Sequence, residues 1–170
     1  MIEKLKKLLE EAVEMFYKTD NDLISAEYER AIVPHIFCNI KQLIKNDSNY
    51  AEFRQYHVDN EYERHHGDKK LIDENKRARP DIILHKRGTD ENLLVIEFKT
   101  AIHANNENIE MDKEKLQKFT SSGTNSTYYY HYKLGVLVKL DTDNIECSYF
   151  ENGHKVDNIT IPMDRGVIND

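Results

Sequence analysis

The sequence predicts a mixed α/β fold, and three observations predict it. Apolar residues recur at helical spacing near the N-terminus and again around residues 28–44. Two short apolar runs, Ile82-Ile83-Leu84 and Leu93 to Phe98, flank the turn-forming Gly88-Thr89-Asp90-Glu91-Asn92. A third run centres on Gly135-Val136-Leu137-Val138, after another helical stretch. A period near 3.6 in some segments and short apolar runs in others mark helices and strands sharing a core. At 170 residues the chain fits one domain, 1–170, with an N-terminal helix (1–20), a core (26–140) and C-terminal strands (141–170). Hydrophobic residues make up 39% of it, enough for a core and too regularly placed for disorder.

Taken in order, Ile2, Leu5, Leu8, Leu9, Ala12, Val13 and Phe16 predict an amphipathic helix over 2–18. Asp20-Asn21-Asp22 interrupts it and offers N-caps. Tyr28, Ile32, Val33, Ile36, Ile40, Leu43 and Ile44 predict a second helix, with a kink or break at Pro34, which lacks a helical donor. Asn46-Asp47-Ser48-Asn49 ends it. Phe53, Tyr56, Val58 and Tyr62 predict a short strand over 54–62, and the polar stretch 63–78 a loop. Ile82–Leu84 and Leu93–Phe98 predict an antiparallel hairpin. The second run is continuously apolar, so it belongs at the centre of a sheet. Residues 103–110 read as polar loop and Asp112–Ser121 as a short helix with Leu116 and Phe119 inward. Tyr132–Leu140 is a further strand, and 145–150 with 156–161 a closing hairpin.

No run of about 18 apolar residues exists to span a membrane, and the charged start Met1-Ile2-Glu3-Lys4-Leu5-Lys6-Lys7 is no signal peptide; a cytoplasmic protein is expected. Cys38 and Cys147 sit in apolar patterns, which predicts two buried, reduced thiols. No glycine-rich phosphate loop, zinc-ligand spacing or Gly-x-Ser-x-Gly elbow occurs. The net charge of −7 runs against simple phosphate binding. Yet residues 64–87 hold eight Lys and Arg against four acids, so charge is segregated along the chain. A solvated charged loop accounts for that segment as well.

One constellation stands out. Asp81 opens the first strand of the hairpin, and Glu97 and Lys99 lie two apart at the end of its partner. Alternation puts Glu97 and Lys99 on one face, and the turn at 88–92 brings Asp81 to them. Two carboxylates and an ammonium at the end of a strongly apolar strand suit Mg²⁺, which takes a few carboxylate oxygens and keeps waters for a phosphate to displace. A neighbouring lysine can orient or deprotonate the attacking water. The same residues also suit a plain salt bridge at a strand end.

Pro80-Asp81, fifteen residues, then Glu97-Phe98-Lys99 resembles the signature of the PD-(D/E)XK nuclease superfamily, and the element order over 26–140 resembles its core. The resemblance implies a restriction endonuclease-like α/β fold in α-β-β-β-α-β order: a central mixed sheet of about four to six strands flanked by helices. It implies that Asp81 and Glu97, with the Phe98 carbonyl, hold Mg²⁺ (Mn²⁺ as substitute), and that Lys99 serves the attacking water. The superfamily's additional helix glutamate corresponds to Glu29, with Glu27 as the alternative; Pro34 departs from the pattern. Two further segments, Val58–Lys70 and Asp112–Leu116, resemble those of small stand-alone bacterial members.

Asp112 and Lys115 are i, i+3 neighbours that form a surface pair or, through Lys115, reach a phosphate across the site. Glu61 is an extra ligand or a partner of Arg64 or Arg79, and His85 lies on a strand near the site. His65-His66 assist proton transfer or are solvated, and Tyr128-Tyr129-Tyr130 stack bases or pack. The expected function is a metal-dependent nuclease hydrolysing phosphodiester bonds, DNA foremost, with a homodimer if both strands are cut. The alternatives are a nuclease-like fold that binds without cutting, and an interaction domain whose acids are salt-bridged.

Overall fold

The computed structural model describes residues 1–25, 29–62, 64–65, 68–69, 71–73, 76–101, 104–123 and 130–163, with backbone alone at 25, 29, 64, 65, 68, 69, 72, 73, 76 and 77. The first apolar stripe forms α1 (Ile2–Asp20), whose Leu5, Leu8, Leu9, Ala12, Val13 and Phe16 are all buried. At its end the Tyr17 hydroxyl donates to the carbonyls of Asp141 and Asn144. A single turn, α2 (Asp22–Ser25), precedes α3 (Glu29–Asn46).

The expected break at Pro34 does not occur: α3 runs through it. Proline removes the bond to the carbonyl four residues back, at Arg30, and both residues lie on the exposed side, where water takes over. Ile32, Ile36, Ile40 and Ile44 line the buried side of α3, which packs on α1. Cys38 stands between Ile36 and Ile40, about half a turn from either, and is exposed; only Cys147 is the buried thiol expected.

The strand expected from residue 54 starts later. Asp47 accepts from the Asn49 N–H at 2.8 Å and caps a 3₁₀ helix, Ser48–Gln55, that carries Tyr50 and Phe53 into the core. The strand itself, β1, is His57–Asn60. The polar stretch expected as loop carries two short antiparallel ribbons, β2 (Arg64–His65) with β3 (Asp68–Lys69), and β4 (Leu71–Asp73) with β5 (Lys76–Arg77). The second is held down by Tyr130, whose hydroxyl bonds both the N–H and the C=O of Leu71, at 2.7 and 2.9 Å.

The hairpin is β6 (Ile82–His85) and β7 (Asn92–Thr100), paired antiparallel, with Gly88 at φ +76° in the turn. The helix expected from Asp112 begins earlier, as α4 (Asn106–Thr120), because the Asn105 side chain caps it by accepting from the Asn108 N–H at 2.8 Å. β8 (Leu134–Leu140) then pairs parallel to β7, and β9 (Asn144–Glu151) and β10 (His154–Pro162) complete the sheet as the expected hairpin.

The result is an α/β fold: one six-stranded mixed sheet in the order β1-β6-β7-β8-β9-β10, flanked by helices, consistent with a restriction endonuclease-like core. β7 lies inside the sheet, as its continuous apolar run requires. One face of β7, Leu94, Ile96 and Phe98, packs with α1 and α3; the other turns Val95 towards Leu116 and Phe119 of α4. Glu97 and Lys99 share the face of Val95. The site therefore lies on the α4 side. No described helix is long and apolar enough to cross a membrane.

Candidate active site

The antiparallel register matches Ile82 with Ile96, so Asp81 comes opposite Glu97. The Phe98 N–H donates to Asp81 Oδ2 at 2.7 Å, and the Glu61 N–H donates to the Asp81 carbonyl at 3.0 Å. These bonds fix the start of β6 against both its neighbours.

Glu97 is 2% exposed. One of its carboxylate oxygens, Oε2, lies 3.0 Å from Lys115 Nζ. The other, Oε1, is buried with no hydrogen-bond partner among the described residues. Burial pushes the Glu97 carboxyl well above the usual range, and the charges of Asp81 and Asp112 add to it, against the pull of Lys115. An unsatisfied buried carboxylate oxygen is costly, and native proteins hold few of them.

Lys99 Nζ donates to the Phe98 carbonyl at 2.9 Å and lies 3.0 Å from Asp112 Oδ2. Asp112 Oδ1 in turn meets Lys115 Nζ at 2.6 Å. Burial alone would lower the Lys115 ammonium, but Glu97 and Asp112 outweigh it and raise it. A chain of ion pairs thus runs Lys99, Asp112, Lys115, Glu97, with Asp81 beside its end. Fully ionised, three carboxylates face two ammoniums, and a net negative charge is left in a buried site.

Asp81, Glu97, Lys99, Asp112 and Lys115 are thus brought together in one place. The expected surface pair of Asp112 and Lys115 is instead nearly buried, because α4 lies over β7. Glu61, at φ +47°, stands near Arg79 at 3.6 Å, with both side chains about half exposed. Glu29 opens α3, but its side chain and all of Glu27 lie outside the described residues, as do the side chain of His65 and all of His66, Tyr128 and Tyr129. Tyr130 packs edge-on against Phe119.

His85 belongs to a second cluster, farther along β6. Its Nε2 lies 2.9 Å from Asp59 Oδ2, Arg87 bonds both Asp59 oxygens, and the Tyr62 ring packs 4.9 Å from the His85 ring. Sequence reasoning missed this partnership, because Asp59 and His85 meet only when β1 pairs with β6.

Among the described residues no three His, Cys, Asp or Glu side chains gather as a metal site. The pair Asp81 and Glu97 still fits Mg²⁺, which is commonly bound by one or two carboxylates with water and substrate phosphate filling the rest. Glu97 Oε1, with no hydrogen-bond partner among the described residues, suits a cation there.

A scan against protein-family models finds no match, and no curated protein compared is similar to the chain. Among solved structures, a chain of the DrdV–DNA complex determined by cryo-electron microscopy superposes with a TM-score of 0.43 at 13% identity, over 86% of this chain and 12% of that one.

Proposed function

We propose that the chain is a metal-dependent nuclease that hydrolyses phosphodiester bonds, in DNA foremost. The observation that carries this reading is the buried Glu97 Oε1, without a partner among the described residues, on a residue opposite Asp81 in the hairpin register and at the end of a lysine-bearing ion-pair chain. Asp81 and Glu97 would hold Mg²⁺, or Mn²⁺ in its place. The ion would supply charge neutralisation at the phosphoryl group and a more acidic water.

The chain's own residues do the rest. Lys99, held by Asp112 and the Phe98 carbonyl, keeps its ammonium on the face of Glu97 and orients the attacking water by hydrogen bonding. Lys115 balances Glu97 in the resting site and is placed to take up negative charge on a phosphate that approaches it. Asp112 positions both lysines and touches no reacting atom in this scheme. The hydrogen bond from the Phe98 N–H keeps Asp81 beside Glu97.

Calorimetric titration of Mg²⁺ and Mn²⁺ into the parent and Asp81→Asn tests the metal site, with binding expected only in the parent. Cleavage of single- and double-stranded DNA tests the chemistry, and Glu97→Gln or Lys99→Ala is expected to abolish it while the circular dichroism spectrum stays unchanged. A mutant as active as the parent would refute the assignment.

A nuclease-like fold that binds without cutting is the competing reading. It is favoured by the ion pairs that already engage both lysines and one Glu97 oxygen. That reading predicts nucleic-acid binding unaffected by EDTA and no cleavage in Mg²⁺ or Mn²⁺.

A further inference from the structure

Next to the carboxylate pair, on the same side of the sheet, α4 and the strands form a recessed cavity of about 180 Å³ that opens to solvent. Four lysines line it, each from a different element: Lys99 of β7, Lys113 of α4, Lys139 of β8 and Lys155 of β10. Their convergence follows from the register. Lys99 and Lys139 are partners in the parallel β7–β8 pair, so they project side by side from one face. α4 crosses over that face and adds Lys113, and the β9–β10 hairpin adds Lys155.

Two acids share the lining, Glu110 and Glu146. Glu110 pairs with Lys113 at 2.7 Å, and Glu146 lies 3.5 Å from Lys139. Lys155 donates to the neutral Asn158 Oδ1 at 2.9 Å and has no carboxylate partner among the described residues. Among the described lining residues four lysines stand against two acids, and with Lys99 also paired to Asp112 it is Lys155 that the described acids leave over, in a chain whose net charge is −7. Asn106, the first residue of α4, also lines the cavity, so the positive end of the helix adds to the field.

The described lining residues include no arginine. A planar carboxylate is best gripped by an arginine fork, whereas ammoniums arriving from several directions suit the spread oxygens of a tetrahedral anion. The volume is below the roughly 300–1,000 Å³ of pockets that enclose whole drug-sized ligands. It has room for a phosphate group. Lys99 belongs to both places, lining the cavity and joining the ion pairs at Glu97.

We infer that this cavity is a phosphate subsite, built by Lys113, Lys139 and Lys155 around Lys99, that takes the terminal phosphate of a nucleic-acid strand. The inference rests on the nuclease reading for the nature of the strand and goes beyond it by naming strand ends as the substrate. A recess this small accepts a group at a chain end more readily than one inside a continuous backbone, whose flanking residues must also be accommodated.

The test is fluorescence anisotropy with 3′-labelled single-stranded DNA bearing either a 5′-phosphate or a 5′-hydroxyl, and with the labels and phosphates exchanged for the 3′ end. EDTA is present, so metal and cleavage play no part. The parent is expected to bind one phosphorylated end about ten-fold more tightly than its hydroxyl counterpart, the worth of one charge-assisted contact. The preference should vanish in Lys139→Ala/Lys155→Ala, persist in Asp81→Asn, and weaken as inorganic phosphate is added. Lys155→Ala alone, at an exposed position where substitutions usually change stability little, should reduce it. Equal binding of all four strands by the parent, or a preference that survives the double variant with its fold intact, would overturn the subsite. Competition by inorganic phosphate without any end preference would reveal a pocket for free phosphate and overturn the strand-end assignment. Cleavage assays separate the two readings: a chain that prefers phosphorylated ends but never cuts refutes the nuclease alone, and one that cuts without end preference refutes the subsite alone.

Discussion

Lys115 decides how Glu97 is tolerated in the interior. The carboxylate is almost wholly buried, and the ammonium 3.0 Å away is the counter-charge closest to hand. Removing one member of a buried ion pair leaves the other uncompensated. Lys115→Ala is therefore expected to lower stability by about 3–5 kcal/mol in urea denaturation. Adding Glu97→Gln to it should restore much of the loss, since the stranded charge is gone. Equal losses in the single and double variants would show that packing of the lysine stem, not charge, is responsible. The Asp59 cluster makes a different prediction. Burial alone would raise this carboxyl, but hydrogen bonds and charge from His85 and Arg87 hold it well below the usual carboxylate range. A carboxyl with a lowered folded pKa stabilises the fold above its ordinary value of 3.8 and loses that contribution as pH falls below it. Asp59→Asn should cost about 2 kcal/mol at neutral pH, near the low end for such pairs because Arg87 is half exposed. In acid titrations followed by thermal melting, the difference between parent and variant should shrink as pH drops through this window.

At the scale of elements, the seating of α4 on β8 sets the distance between the lysines and the carboxylates. Gly135 lies under the helix, and a Cβ there would come 3.0 Å from Thr120 Cγ2 and 3.3 Å from Leu116 Cδ2. Gly135→Ala is expected to push α4 outward and to cost about 1–2 kcal/mol, the usual penalty for overpacking. Under the nuclease reading it should also slow cleavage, because Asp112 and Lys115 ride on the same helix. Asn105 is the other control point. Asn105→Ala removes the cap of α4 and should cost about 1 kcal/mol in stability, with Ser or Asp at that position restoring it. The helix pattern of α1 and the hairpin of β6 and β7 could be read from residue spacing because each is a local periodicity. The start of α4 and the 3₁₀ turn at Ser48–Gln55 could not, because single side-chain caps at Asn105 and Asp47 decide them.

For the whole molecule, a divalent ion that binds only the folded chain must stabilise it. At a concentration 100-fold above its dissociation constant the gain is about 2.7 kcal/mol, which is several degrees in the melting temperature of a chain this size. Mg²⁺ is expected to raise the melting temperature of the parent and not that of Asp81→Asn. An equal rise in both would assign the effect to another site. The asymmetry of the sheet matters here as well. One face is sealed by α1 and α3, whereas the other carries α4, the ion-pair chain and the lysine cavity. The charged residues that interrupt apolar strands, Glu97 and Lys99 in β7 and Lys139 in β8, all lie on that second face.

By itself the sequence determined the classes of the main elements, the hairpin and the pairing of Asp81 with Glu97, because these depend on periodicity and on one short turn. The tertiary structure alone decided that Asp112 and Lys115 are nearly buried ion-pair partners of Lys99 and Glu97, that Asp59 holds His85 and Arg87, and that four lysines from four elements line one recess. The residues in each of these groups come from separate segments. Their meeting depends on the parallel β7–β8 register and on the crossing of α4, and neither leaves a mark in any short stretch of chain.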